Sequence, residues 1–276
     1  MGTDSARALH QTFLPAGGKS RAFVWKYSEI NKGRRPRHFH AEPELNLVVA
    51  GQATFGVGRA RVQVSAGQLI GFPPGQDHVL LDASPDVYLY SIGVEPTLAA
   101  EAAPRANSAP ILPLRSQLAT EELKLLTQRC TDIVDREQVD GLGAELWQRA
   151  QWLQSRATNG VVHVLTRRAL SELVRSPDSN REQLSRILRA SPSDVSRYFH
   201  RDVGVTLVQY RTRARLLRLI QLVDAGERNL KELARRVGFG SYSQCHRAFQ
   251  AELGCAPSEF FASGVRDAMQ QAYALK

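Results

Sequence analysis

Seven polar side chains in the last third of the chain have types suited to hydrogen bonding with nucleic-acid bases. They fall near the start of two short segments of helical periodicity, in which Val195, Phe199 and Phe249 mark the apolar face. The polar residues on the opposite faces are Ser193, Ser196, Arg197, Tyr242, Gln244, His246 and Arg247. Arginine can donate two hydrogen bonds to guanine, and glutamine can pair with adenine. These residues therefore predict direct recognition of bases in the major groove of double-stranded DNA.

The two segments belong to two copies of one helix-turn-helix unit, at about residues 180–204 and 229–254. Each copy opens with an asparagine that is followed three positions later by Gln183 or Glu232, an arrangement that caps helices, and each closes on a glycine. The second copy has one extra residue in its turn. A short turn between two helices is typical of units that present one helix to DNA.

Residues 206–225 connect the two units and contain no glycine or proline, while apolar residues recur at helical spacing. This pattern predicts one continuous helix. Such a helix would rise about 30 Å at 1.5 Å per residue, and one turn of B-DNA is about 34 Å long. We therefore expect the two recognition helices to enter successive major grooves on one face of the duplex.

Residues 161–264 resemble the DNA-binding domain of the AraC/XylS family of bacterial transcription regulators. The residues of the second unit that carry the resemblance are Gly238, Phe239, Ser241, Ser243, Arg247, Ala248, Phe249, Gly254, Pro257 and Phe260. The resemblance implies that the seven polar residues face DNA and that RNA polymerase is a partner. Cys245 departs from the family, which usually has a larger apolar residue there, so we expect a less filled core beneath the second recognition helix.

The C-terminal polar residues are expected to divide into those that select a sequence and those that add affinity. Because the outward serines of the first unit are short, we expect the second unit to contribute more base specificity, notably through Gln244. Arg213 and Arg215 in the connecting helix are expected to contact phosphate, which carries no direct sequence information. For Arg247 two interpretations stay open, base recognition or a structural and backbone role.

Charge and cysteine content limit the class of protein. The formal charge is +9, and residues 181–276 carry 16 Lys and Arg against 9 Asp and Glu, whereas residues 1–114 carry 11 against 9. A basic C-terminal part suits phosphate binding. Three scattered cysteines argue against a disulfide framework, and no 18-residue apolar run occurs. We therefore expect a cytoplasmic protein that does not associate with a membrane.

The N-terminal region has a different pattern. From about residue 23 to residue 94, short apolar runs rich in β-branched and aromatic residues alternate with turns that contain glycine and proline. Many brief strands of this kind predict a β-barrel or jelly roll. The predicted fold class is α+β, with a barrel in residues 1–114, a helical linker in residues 115–160 and an all-α tandem helix-turn-helix domain in residues 161–276.

The N-terminal region resembles the cupin barrel. The resemblance rests on Gly33, His38, His40, Glu44, Gly51, Gly67, Pro73, Gly75 and His78. It implies that His38, His40, Glu44 and His78 project inward and bind one divalent ion. Residues two apart in a strand share a face, which suits the pair His38 and His40. Three imidazoles and one carboxylate suit Zn, Fe, Mn, Ni or Cu rather than Mg or Ca.

A metal-free interpretation of the same motif stays open, because AraC-type sensor domains often keep these residues as turns and pocket lining. With or without an ion, the barrel interior is the expected pocket for a small-molecule effector. Its candidate wall residues are Phe39, Leu47, Phe55, Phe72 and Tyr90. Arg34, Arg35 and Arg37 either attract an acidic effector at the mouth or form a solvated loop.

Residues 116–176 show helical periodicity with two apolar stripes. The first stripe consists of Leu123, Leu126, Cys130, Ile133 and Val134, and the second of Leu142, Leu146, Ala150 and Leu153. In AraC-like regulators such helices often pair two subunits, which implies a homodimer. The alternative is that both stripes pack on the barrel.

Together these observations predict a sequence-specific, DNA-binding transcriptional regulator that responds to a ligand or a metal through its cupin-like barrel and has no enzymatic activity. The alternative is a metal-dependent cupin enzyme, of the dioxygenase or isomerase type, fused to a DNA-binding module. The tandem units favour the regulator, since an enzyme does not need two helices spaced to match successive grooves.

Overall fold

Two five-stranded sheets form the N-terminal domain of the computed structural model, which describes residues 8–14, 21–28, 36–101, 115–136, 143, 145–149, 162–176 and 179–262. The strands are β1 (Leu9–His10), β2 (Ala22–Tyr27), β3 (His38–Phe39), β4 (Glu44–Ala50), β5 (Gln52–Val57), β6 (Ala60–Ser65), β7 (Gln68–Phe72), β8 (His78–Ala83), β9 (Tyr88–Val94) and β10 (Arg115–Gln117). Their order is β1-β3-β8-β5-β6 in one sheet and β10-β7-β4-β9-β2 in the other. Only the pair β1 and β3 is parallel among the described strand pairs.

The two sheets face each other across an apolar layer. Phe55 of the first sheet packs there with Val48, Phe72 and Leu89 of the second. Since side chains alternate between the two faces of a strand, the even-numbered residues of β4 point into this layer and the odd-numbered residues point away from it. The α+β class with an N-terminal jelly roll, predicted from the sequence, is confirmed as a domain of two facing sheets. Residues 115–117, which we assigned to the helical linker, form β10 at the edge of the second sheet.

Helix α2 (Thr120–Arg136) covers the outer face of the second sheet, after a short helix α1 (Pro96–Glu101). Leu126, Cys130 and Ile133 of the predicted first stripe are buried against that sheet. The Tyr90 hydroxyl hydrogen bonds with the Thr131 hydroxyl at 2.7 Å. The first stripe therefore packs on the β-domain, as the second interpretation expected. Of the second stripe, Leu146 is buried in the same cluster, and Leu142, Ala150 and Leu153 lie outside the described residues.

Seven helices form the described part of the C-terminal domain. They are α3 (Val164–Arg175), α4 (Arg181–Leu188), α5 (Pro192–Val203), α6 (Leu207–Asp224), α7 (Leu230–Arg236), α8 (Tyr242–Leu253) and α9 (Pro257–Phe261). Helices α4 and α5 form the first helix-turn-helix unit, α7 and α8 form the second, and α6 connects them. The predicted connecting helix is confirmed, with Thr206 as its N-cap and Ala225 as its C-cap.

Local sequence explains why these helices begin and end where they do. Asn180 forms a full capping box at the start of α4, and Asn229 accepts a hydrogen bond from the Glu232 amide at the start of α7. Gly204 and Gly254 close α5 and α8 in the left-handed conformation, with φ of 81° and 86°. In the described residues, no helix has both the length and the apolar character needed to cross a membrane.

Candidate functional site

The two recognition helices, α5 and α8, bury one face and expose the other. Val195, Phe199 and Val203 of α5, and Phe249 and Leu253 of α8, are buried. Ser193, Arg197, Gln244 and Arg247 are exposed, and Ser196, Tyr242 and His246 are half-buried. All seven residues predicted to contact DNA therefore keep exposed surface, although Tyr242 also packs against the core of the second unit.

The first unit carries an arginine that is held in place on its surface. Arg197 forms a 2.6 Å ion pair with Asp194, and its guanidinium lies 4.8 Å from the ring of Tyr198. Tyr198 is half-buried and stacks on the ring of His163 at 3.6 Å. An exposed ion pair of this kind contributes little free energy, about 0–1 kcal/mol, so Arg197 can exchange Asp194 for a nucleic-acid acceptor at small cost.

Gln244 takes part in two capping contacts at the start of α8. Its Oε1 accepts a hydrogen bond from the Gly240 amide at 2.8 Å, and its own amide donates to the Ser241 hydroxyl at 3.1 Å. The side-chain NH2 group of Gln244 is left for another acceptor. Arg247, by contrast, has no carboxylate partner among residues 179–262.

Cys245 lies beneath this surface. It is 1% exposed and belongs to the core of the second unit together with Phe249 and Leu253. Burial raises the pKa of its thiol to about 11, so the thiol stays protonated at neutral pH. The cysteine acts here as a small apolar side chain.

In the N-terminal domain, three imidazoles converge between the two sheets. His38 and His78 are a cross-strand pair on β3 and β8, and His40 follows β3 directly. Ligand atoms of His38, His40 and His78 all lie within 4.8 Å of one another, and all three residues are buried. Glu44 enters from the opposite sheet, where its Oε2 lies 3.2 Å from His40 Nε2 and 3.7 Å from His78 Nε2.

Neighbouring groups orient three of these four side chains, His38, His78 and Glu44, as the outer shell of a metal site does. Nδ1 of His38 hydrogen bonds with the Pro36 carbonyl at 2.8 Å, and Nδ1 of His78 hydrogen bonds with the Gln76 carbonyl at 3.1 Å. Both rings therefore direct Nε2 toward the cluster. Asn46 donates to Glu44 Oε1 at 2.7 Å, which leaves Oε2 directed at the histidines.

The ring nitrogens that face the centre fit an ion by their chemistry. Nε2 of His40 and Nε2 of His78 are buried and lie outside hydrogen-bond geometry with any described group, which is costly for polar atoms unless something coordinates them. Nδ1 of His40 lies 3.5 Å from Glu42 Oε2. Three imidazoles and one carboxylate are a donor set for a transition metal.

Charge within the cluster is unevenly distributed. Burial and the neighbouring His78 and His40 lower the pKa of His38 well below its ordinary value, so His38 is a neutral imidazole. Burial also lowers the pKa of His40, but the carboxylates of Glu42 and Glu44 outweigh burial and raise it to about 9. Burial raises the pKa of Glu44, yet His40 and His78 hold it well below the usual range. The Glu44 carboxylate is therefore ionised, whereas His40 carries a proton at neutral pH and would have to release it to bind a metal.

Sequence reasoning missed the groups that surround the cluster. Phe13, from the N-terminal segment, lies 4.6 Å from the ring of His40 and covers it, and Glu42 accepts a hydrogen bond from the Leu14 amide at 2.9 Å. Asn46 could have been found, because it lies two residues after Glu44 and so shares its face of β4. Nothing local in the sequence marks Phe13.

Several residues predicted for the effector pocket have other roles. Phe39 packs against the core of the second helix-turn-helix unit, and Leu47 and Tyr90 pack under α2, so they do not line the space between the sheets. Phe55 and Phe72 do lie there. Arg37 is 6% exposed and forms a 2.9 Å ion pair with Asp77, so it is not part of a solvated loop; Arg34 and Arg35 lie outside the described residues.

A cleft of about 370 Å³ separates the N-terminal domain from α6. Its walls include Gln11, Arg21, Glu42 and Glu95 on one side and Ile220 on the other. The size falls within the range of small-molecule sites in proteins. A candidate effector cavity therefore exists at the junction of the two domains.

Arg213 is the clearest departure from the expected phosphate contacts. It lies on α6 but is only 5% exposed, with Nη1 2.7 Å from Asp77 Oδ1 and Nε 2.8 Å from Glu252 Oε2. Its guanidinium lies 4.6 Å from the ring centre of Phe39. The prediction that Arg213 contacts DNA phosphate is wrong for this arrangement, because its guanidinium is buried and forms an ion pair with Asp77 of the N-terminal domain.

Two known families match separate parts of the chain. Residues 28–150 match the AraC-like ligand binding domain, and residues 184–263 match a helix-turn-helix domain. The transcriptional regulatory protein HptR of Staphylococcus aureus (strain bovine RF122 / ET3-1) is 37% identical over 70 residues, which cover 25% of this chain and 27% of that protein.

Two solved structures with similarity to this chain differ in how much of it they cover. ToxT from Vibrio cholerae O395 is 13% identical with a TM-score of 0.43, over 88% of this chain and 98% of that one. The C-terminal domain of AraT, a response regulator from Geobacillus stearothermophilus, is 24% identical with a TM-score of 0.34, over 36% of this chain and 84% of that one.

Proposed function

Because the chain belongs to the AraC family of transcription regulators, with an AraC-like ligand binding domain before a helix-turn-helix domain, we propose that it is a sequence-specific DNA-binding regulator that senses a divalent transition metal. The observation that carries the proposal is the convergence of His38, His40 and His78 within 4.8 Å, beside the Glu44 carboxylate. Zn, Fe, Mn, Ni and Cu are the ions that this donor set suits.

DNA contact is assigned to the exposed faces of α5 and α8. In this proposal Arg197 and Arg247 contact guanine or phosphate, and Gln244 contacts adenine. Ser193, Ser196, Tyr242 and His246 complete the contacting surface. The longer side chains of α8 support a larger share of base specificity for the second unit. The 18 residues of α6 rise about 27 Å at 1.5 Å per residue, which supports placing the two helices in successive major grooves.

In the N-terminal domain, His38, His40, His78 and Glu44 would hold the ion. A bound ion would supply positive charge and fixed coordination geometry at a point where β3, β8 and β4 meet. The backbone carbonyls of Pro36 and Gln76 keep the His38 and His78 rings in position, and Asn46 keeps the Glu44 carboxylate in position. Phe13 excludes water from one side.

Metal analysis of the purified full-length protein tests this proposal. We expect about one equivalent of a transition metal per chain in the wild type, and loss of that metal in His38→Ala, His40→Ala, Glu44→Ala and His78→Ala. His200→Ala is the matched control, because it removes an exposed imidazole of α5. A folded wild type that takes up no ion from Zn²⁺, Ni²⁺ or Fe²⁺ solutions would contradict the metal site and leave a ligand-binding pocket without metal.

The remaining parts of the proposal concern partners. We propose a homodimer that forms through α2, supported by Leu125, which is 46% exposed beside a groove formed with Leu146 and Arg149.

A small-molecule effector would occupy the cleft between the domains, and the protein would contact RNA polymerase on promoter DNA in the cytoplasm. The protein has no catalytic role in this proposal; turnover by the metal-loaded protein with candidate dioxygenase or isomerase substrates would contradict that part.

A further inference from the structure

The segments that carry the histidine cluster also carry the contacts to the C-terminal domain. Along residues 37–40, His38 and His40 face the space between the sheets, while Arg37 and Phe39 face outward. This alternation follows from strand geometry. Around Asp77 the same division holds, with His78 turned inward and Asp77 turned toward α6. The cluster and the domain interface therefore share one short stretch of backbone on each of two neighbouring strands.

A chain of buried ion pairs crosses the interface at this point. Arg37 pairs with Asp77 at 2.9 Å, Asp77 pairs with Arg213 at 2.7 Å, and Arg213 pairs with Glu252 at 2.8 Å. Glu252 lies in the last turn of α8, the second recognition helix. Arg37 and Arg213 are 6% and 5% exposed, so salt in the solvent screens these pairs weakly.

Gln76 makes a second connection, to the first recognition helix. Its side-chain amide donates to the carbonyl of Val203, the last residue of α5, and its backbone carbonyl is the partner of His78 Nδ1. Close by, Gly58 approaches Gly204 so closely that a Cβ atom on Gly58 would overlap the Gly204 carbonyl. Gln76 thus contacts both His78 of the cluster and the C-terminal domain.

These contacts reach the C-terminal ends of both recognition helices. The residues assigned to DNA contact cluster toward the other ends, and Ser193, Arg197, Gln244 and Arg247 stay exposed in the docked arrangement. Docking of the N-terminal domain therefore does not cover the DNA-facing residues. It connects the C-terminal ends of both helices to the N-terminal domain.

We infer that Arg213 is a positioning residue, which holds the second recognition helix against the Asp77 strand and thereby links ion occupancy of the histidine cluster to the DNA-binding arrangement. This inference rests on the proposed metal site. Ion binding orders β3 and β8 from the inner face, and docking of the C-terminal domain orders the same residues from the outer face. The two events therefore favour each other, and linkage requires the effect to be reciprocal.

Because ion binding and domain docking affect each other reciprocally, the inference can be tested without DNA. We would measure Zn²⁺ affinity of the full-length protein by competition with a chromophoric chelator, for the wild type, Arg213→Met, Arg213→Lys and Arg228→Met. Arg213→Met keeps the length of the side chain but removes its pairing with Asp77 and Glu252. Arg228→Met is the matched control, because Arg228 lies in the loop after α6 and its guanidinium donates to the Val223 carbonyl at the end of that helix.

The expected result is a loss of Zn²⁺ affinity in Arg213→Met of at least about fivefold, the lower end of typical coupling between sites. Arg213→Lys should show a smaller loss, because an ammonium retains the charge but not the fork that pairs with two carboxylates. Arg228→Met should equal the wild type. If Arg213→Met fails to fold, as judged by circular dichroism, Arg213→Lys carries the test.

The possible failures are distinguishable. A wild type that binds Zn²⁺ and a folded Arg213→Met that binds it equally or more tightly would overturn the inference and leave the proposed function intact. A wild type that does not bind Zn²⁺ would overturn the proposed metal site, and the inference with it. Equal loss in Arg213→Met and Arg228→Met would also overturn the inference, since it would show a general effect of removing an arginine.

Discussion

Gln244 allows helix capping and base recognition to be separated by two substitutions at one position. Its Oε1 accepts the Gly240 amide at 2.8 Å, and its NH2 group is left to donate. Gln244→Glu keeps an oxygen acceptor for the cap and places a negative charge at a helix N-terminus, which is favourable there. It removes the donor that adenine N7 requires. Gln244→Ala removes both functions.

Helix capping and base recognition by Gln244 differ in the free energy that their loss costs and in the measurement that detects the loss. Loss of a capping contact costs about 1 kcal/mol of helix stability, and it weakens binding to all sequences alike. Loss of a bidentate contact to adenine costs about 1–3 kcal/mol of discrimination, which is roughly 5- to 150-fold between the correct and an incorrect base. We therefore expect Gln244→Glu to unfold at the wild-type denaturant midpoint or above, and Gln244→Ala to unfold earlier.

The assay is fluorescence anisotropy on a DNA site that the wild type selects from random sequence, together with single-base variants of that site. The ratio of dissociation constants between site and variant is the quantity to compare, because the added negative charge in Gln244→Glu weakens phosphate contacts on every sequence. Both substitutions should abolish discrimination at the same adenine. If Gln244→Glu discriminates as well as the wild type at every position, Gln244 is a capping residue and its assignment to base recognition is refuted.

Three further predictions follow from packing in the described structure. Phe249→Ala should lower the free energy of unfolding by about 3–5 kcal/mol, since Phe249 is fully buried in the core of the second unit; a loss below about 1 kcal/mol in denaturant titrations would contradict that core. Burial raises the pKa of Cys130 to about 12 and that of Cys245 to about 11, so a thiol reagent at pH 7.5 should label the half-buried Cys255 in the native protein and the other two only after unfolding. Leu125→Glu should shift sedimentation from dimer to monomer without changing the circular dichroism spectrum, and an unchanged dimer would place the subunit contact elsewhere.

The C-terminal helices could be predicted from sequence because their signals are local. Asn180, Asn229 and Ser241 cap helices through contacts that span three residues, and glycines at 204 and 254 adopt the left-handed conformation that ends them. Such signals need no knowledge of the rest of the chain. The same holds for His38 and His40, which share a strand face by spacing alone.

The domain interface could not be predicted in the same way. Arg213 looks like any other outward arginine of a basic helix, because its partner Asp77 is 136 residues away in the chain. Alternation predicts that Phe39 points away from His38, but not that the core of the second helix-turn-helix unit lies there. Contacts of this kind depend on how the two domains dock, and no periodicity in either segment encodes that.

The central claim is that this protein is a metal-sensing regulator that binds DNA with two recognition helices. Hydroxyl-radical footprinting of the full-length protein on its selected DNA site, with and without Zn²⁺, tests that claim most directly. We predict two protected stretches about one helical turn, or 10–10.5 base pairs, apart on one face of the duplex. Protection should occur at lower protein concentration with Zn²⁺, and this response to Zn²⁺ should be lost in His78→Ala. A single short protected stretch, or protection that is identical with and without Zn²⁺ in the wild type, would contradict this function.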